Sequence, residues 1–161
     1  MLNPADLVDA IVAALQDIPE FVTEMDGDAA RISAYHDQFP TRSNLALAIY
    51  QMDPPSTLVI WRETAPGSAG RMEVWKHSFS VLFRPREHVA GDDYGYGKLM
   101  ELFVNGVPSS GTGQKLLNEP IHASCWPMDV PTFARSTLMV TQDSALDYFE
   151  VRLTLTEMGD Q

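Results

Sequence analysis

Apolar residues recur at helical spacing near the start of the chain, where Leu7, Val8, Ile11, Val12, Leu15 and Ile18 form one stripe. Asn3 is placed to cap this helix, Pro4 suits its first position, and Asp6 sits at the favourable end of the dipole. Pro19 stops it, and residues 20–25 predict one further turn before the Asp26-Gly27-Asp28 break. A short strand is expected near 31–35. Over 44–52 the pattern is double: Ser43 suits a helix cap, yet Leu45, Leu47 and Ile49 also alternate as in a strand. Pro54-Pro55 ends either element.

The period then changes to two. Val59, Ile60 and Trp61 mark a strand over 57–63, and 65–70, rich in Gly, Pro and Ser, reads as a turn region. In the long strand that follows, Trp75, His77, Phe79, Val81 and Phe83 share one side, with Lys76, Ser78, Ser80 and Arg84 on the other. Two such runs are expected to pair antiparallel as a long hairpin. A loop at 91–95 leads to a second helix carrying Leu99, Leu102, Phe103 and Val107, with Gly106 as its C-cap. Residues 109–113 read as a small-residue linker, 116–127 as irregular and 129–140 as extended. The last strand alternates Phe149, Val151, Leu153 and Leu155 with Glu150, Arg152, Thr154 and Thr156. The sum is an α+β fold in a single domain over 1–161, a mostly antiparallel sheet with a long hairpin, packed by two or three helices on one face.

At 161 residues, with 45% hydrophobic and 20% charged positions, the chain has the size and composition of one folded domain. The single cysteine, Cys125, has no partner for an internal disulfide. No run of apolar residues is long enough to span a membrane, and the N-terminus has neither the basic region nor the apolar core of a signal peptide, so synthesis in the cytoplasm is expected. The net charge of −11 argues against binding nucleic acid or an anionic membrane over a broad surface. That charge is segregated. Residues 1–30 hold seven acids and no base, whereas 31–100 hold eight bases against seven acids. An acidic helix that simply solvates the protein is the plainer reading, and complementarity between copies of the chain is the sharper one.

The chemistry-bearing motifs are weak. Gly67-Ser68-Ala69-Gly70 lacks the spacing of a nucleophile elbow. Gly106 and Gly111 have phosphate-loop spacing, but Thr112 stands where the lysine belongs. His122 and Cys125 are three apart, yet no second ligand pair accompanies them, and His36, His77 and His88 are scattered along the chain. His36-Asp37 resembles half a catalytic dyad, although neighbours in a strand point apart. Asp92-Asp93 near Glu87 could bind a cation loosely, and solvating a loop is the plainer reading. Trp61, Trp75 and Arg84 come nearest to a single-strand-binding pattern, which the overall charge opposes. No catalytic, metal or cofactor site is therefore expected, and no sequence-specific nucleic-acid binding.

The opening amphipathic helix, the element ending before Pro54-Pro55-Ser56, the Trp61 strand, the 74–84 strand, the 99–107 helix and a closing strand ending Leu153-Thr154-Leu155-Thr156-Glu157 together resemble the tail terminator (tail completion) proteins of long-tailed bacteriophages. The likeness lies in element order, length and texture over nearly the whole chain. It implies a structural virion protein, not an enzyme, that forms a six-membered ring at the head–tail junction, caps the tail tube, ends its polymerisation and meets the head-proximal connector. Its partners would be copies of itself, the tail tube protein and a neck protein. A ring surface needs aromatic and arginine anchors, and the candidates on or beside the hairpin are Trp61, Arg62, Arg71, Trp75, Arg84 and Arg86. The rivals are a head-closure or neck ring at the same junction, and a small enzyme using His36, Asp37, His122 or Cys125.

Overall fold

A computed structural model describes residues 1–36, 42–84, 125–126, 132–141 and 144–158. Helix α1 (Pro4–Gln16) starts where its cap predicts, with the Asn3 side-chain oxygen accepting from the Ala5 N–H at 3.1 Å. Leu7, Val8, Ile11 and Leu15 form its buried stripe. A short second helix, α2 (Pro19–Glu24), buries Phe21. The chain reverses through Asp26 and Gly27, both at positive φ, into a 3-10 turn at Ala29–Arg31 and strand β1 (Ile32–Tyr35).

The double pattern over 44–52 resolves as a helix, α3 (Arg42–Gln51). Leu47 and Ile49, which would share a face in a strand, fall on opposite sides of it, Leu47 exposed and Ile49 buried. Strands β2 (Ser56–Ala69) and β3 (Met72–Arg84) follow and pair antiparallel along their length. The expected turn region at 65–70 is corrected here, since 65–69 continue the strand and only Gly70-Arg71 turn, with Gly70 at φ +63°. Pro66 and Gly67 lie where β2 has no strand partner other than β3 among the described residues, the edge setting in which proline is tolerated.

Three further strands, β4 (Cys125–Trp126), β5 (Thr132–Thr141) and β6 (Ser144–Met158), make the sheet six-stranded among the described residues. Strand β6 is the hub. Its one side pairs with β3 from Phe83↔Phe149 to Val74↔Met158, while β5 and β4 pair with it in turn along the other. All pairings are antiparallel except β1 with β2, which run parallel through Ile32↔Thr57 to Tyr35↔Ile60. The helix α3 supplies the crossover that parallel neighbours need.

The sheet carries two apolar clusters. On one face α1 and α2 cover Val59, Phe79, Val81, Phe83, Val151, Leu153 and Leu155. Burying each such side chain contributes about 1.5–3 kcal/mol. On the other, Ile49 of α3 packs with Leu58, Ile60 and Leu82. The expected pair of helices on one face is thus α1 and α2, and α3 adds cover on the opposite face. Leu58, Val59 and Ile60 are three apolar residues in a row, and a strand apolar on both sides needs cover on both. Between Trp61 and Glu63 the β2–β3 register shifts by one residue, a bulge at Arg62 that sets which side chains face inward beyond it. No helix among the described residues is long and apolar enough to cross a membrane. The expected 99–107 helix, the 91–95 loop and the 109–113 linker lie outside the described residues, as do Asp37, Arg86, His88 and His122.

Candidate functional site

The first candidate is the outer half of the hairpin. Strand β1 reaches only Ile60, so residues 61–69 of β2 have β3 on one side and no strand partner on the other among the described residues. An open edge presents a row of backbone donors and acceptors to a further strand. Arg62 is exposed at the bulge, Arg71 at the turn, and Trp75 keeps 36% of its surface exposed. These three candidate anchors lie on the arm's surface.

Two others face inward. The Trp61 indole N–H donates to the Thr64 hydroxyl at 3.0 Å, and its ring packs against the main core. The half-buried Arg84 donates to the carbonyls of Ile49, at 3.4 Å, Tyr50, at 2.7 Å, and Met52, at the C-terminus of α3. Those carbonyls include groups that a helix end leaves without internal partners. The structure thus gives Arg84 a capping role inside the fold.

Beside the arm, on the α3 face, lies a charged groove of about 690 Å³ lined by Arg62, Glu63, Ser78, Tyr148, Glu150 and Arg152. Arg62 donates to the Ser80 hydroxyl at 2.8 Å, which donates to Glu150 at 2.9 Å; Arg152 donates to the same carboxylate oxygen at 2.7 Å. The hydrogen bond and charge of Glu150 hold the Arg152 guanidinium more firmly ionised than usual.

The second candidate is internal and joins residues far apart in sequence. His77 of β3, Cys125 of β4 and Glu157 of β6 bring one ligand atom each within 4.8 Å of the others. Register explains the meeting: Cys125 is directly opposite Glu157, and His77 is opposite Leu155, two residues along on the same face. All three are buried, His77 and Cys125 at 0% exposure and Glu157 at 7%. His77 Nε2 lies 2.8 Å from Glu157 Oε2, and its Nδ1 lies 2.8 Å from the Thr64 hydroxyl. The Leu2 N–H donates to both carboxylate oxygens, at 3.1 and 2.9 Å. With a neutral imidazole, the donors run in one direction, from Trp61 to Thr64, to His77, to Glu157.

Electrostatics set what this cluster can do. Burial works against the Glu157 charge, but the Leu2 N–H, the His77 hydrogen bond and the nearby positive charge of the Met1 amino group outweigh it, holding the carboxyl below its ordinary value. Burial, and then the Glu157 charge, push the Cys125 thiol up to about 12. A thiol so held stays protonated at neutral pH in the metal-free chain.

Sequence reasoning weighed Cys125 with His122 and missed this grouping. The available signal was a polar residue on a core-facing stripe, His77 among Trp75, Phe79, Val81 and Phe83, and Glu157 two beyond Leu155. His36 lies 2.8 Å from Asp9 of α1 in an exposed pair, and Asp37 lies outside the described residues. No protein-family profile and no curated protein matches the chain.

Proposed function

We propose that this chain is the subunit of a ring that caps a bacteriophage tail tube, ends its polymerisation and joins the tail to the head-proximal connector. The reading rests first on the order of α1, α3, the β2–β3 hairpin and the closing strand β6, the order that prompted the likeness to tail terminator proteins. The single observation that carries it is the long hairpin whose β2 edge has no strand partner beyond Ile60 among the described residues. Such an edge supports a head-to-tail contact, and a heterologous contact that closes by rotation makes a ring with two different faces. Arg62, Arg71 and Trp75 then serve as anchors on the arm. The acidic outer surface of α1, with Asp9 exposed, offers an oppositely charged counterpart on the next subunit.

The test mixes the purified chain with tail tube protein and measures mass by light scattering and tube ends by electron microscopy. The expected result is a ring near six times 17.9 kDa seated on tubes of limited length. The variant Arg71→Glu, at the exposed turn, is expected to weaken the ring while keeping its urea midpoint. Tubes that grow without limit beside a persistent monomer would refute the proposal. A ring that binds only connector protein would move the assignment to a neck ring.

A further inference from the structure

We propose that His77, Cys125 and Glu157 form a binding site for one divalent transition-metal ion of the zinc class. The inference is independent of the ring, since it concerns the interior of a single chain.

Geometry comes first. The three ligand atoms already lie within 4.8 Å of one another, on three neighbouring strands and on one face of the sheet. Bond lengths of roughly 2.0–2.3 Å place tetrahedral ligands roughly 3.3–3.6 Å apart when one of them is sulfur, so fitting an ion changes any separation by no more than about 1.5 Å, with the His77–Glu157 pair opening slightly. The donor set selects the metal. One imidazole nitrogen, one sulfur and one carboxylate oxygen suit zinc and its neighbours, whereas magnesium and calcium take oxygen alone. Charge balances as well, because a thiolate and a carboxylate neutralise a dication and leave no net charge in the core.

The surroundings are arranged as a ligand shell requires. A metal-bound histidine has its other nitrogen fixed by a hydrogen bond, and His77 Nδ1 faces the Thr64 hydroxyl at 2.8 Å, itself held by Trp61. Glu157 is likewise fixed by the Leu2 N–H. On binding, the His77 ring proton passes from Nε2 to Nδ1, where it is donated to Thr64, and the Cys125 thiol proton leaves to solvent. Three protein donors leave the fourth tetrahedral corner to a water. The structural consequence is a staple: among the described residues β4 holds β6 through two register pairs, and the ion would tie it across β6 to β3.

The test is a cobalt(II) titration of the full chain, freed of metal by chelation and followed by absorption spectroscopy, with zinc competition and elemental analysis of the protein as purified. The expected result is one cobalt per chain, a thiolate-to-cobalt charge-transfer band with tetrahedral visible bands, and their loss when zinc is added. Magnesium and calcium should leave the spectrum unchanged. Cys125→Ser should abolish the charge-transfer band. Because that variant disturbs the core, X-ray absorption of the zinc-loaded wild type supplies a second readout, one sulfur among nitrogen and oxygen neighbours. A folded wild type that binds neither ion stoichiometrically, or a charge-transfer band that survives Cys125→Ser, would overturn the proposal.

Discussion

Replacing Arg84 with Met separates two roles that one arginine on a hairpin can play. Its guanidinium donates to the carbonyls of Ile49, Tyr50 and Met52, so the side chain closes the end of α3 onto β3. Hydrogen bonds from a charged donor contribute about 1.5–3 kcal/mol when well buried. Arg84 is half-buried, water replaces part of what is lost, and Met keeps the aliphatic stem. A cation at a helix C-terminus adds about 0.3–1 kcal/mol. The expected cost is therefore about 1.5 kcal/mol, which at a urea slope of about 2 kcal/mol/M lowers the midpoint by about 0.7 M. Arg84→Glu should cost roughly 1 kcal/mol more, because it sets a negative charge against the negative end of the helix. Equilibrium urea unfolding followed by circular dichroism measures both variants. An unchanged midpoint in Arg84→Met, together with lost ring formation, would show Arg84 to be an interface anchor and refute the capping role.

Two further outcomes test the interior. Since Glu157 titrates lower in the folded chain than its ordinary 4.5, its contribution is complete above that value and disappears as pH falls through the depressed folded value. In chelator, acid unfolding below about pH 4.5 should be steeper for wild type than for Glu157→Gln, and parallel curves would contradict the stabilising role of the charge. Asn3→Ala should lower stability by about 1 kcal/mol through loss of the cap on Ala5, measured as a urea midpoint shift with an unaltered slope.

Much of the framework is legible in the sequence because its signals are local. The stripe of α1 and the alternation of β3 and β6 each combine a period with a terminator, although cover on the second face buries Ser80, Leu82, Glu150 and Thr156 as well. The element over 44–52 carries two periods at once, and only packing of Ile49 against Leu58, Ile60 and Leu82 decides between them. The outer half of β2 is hidden by its composition: Pro66, Gly67 and Ser68 signal a turn, but with no second strand beside them among the described residues they cost little, and pairing with β3 extends the strand. The buried cluster depends on a separation of 32 residues between Cys125 and Glu157 and 48 between His77 and Cys125, closed by sheet register alone. Spacing rules favour near neighbours, which is why they paired Cys125 with His122.

The bulge at Arg62 acts as a frameshift in the ladder. With a regular register from Trp61↔Phe79, Glu63 would stand across from His77; the extra residue sends Glu63 to Ser78 and hands that place to Thr64. A hydroxyl able both to give and to take a proton thus replaces a second carboxylate beside Glu157, where like charges would repel. Deleting one residue here would rewrite the interior chemistry, whereas deletions paired across the Gly70-Arg71 tip would only shorten the arm's reach. Length variation in this protein is accordingly tolerable at the tip and forbidden at the bend.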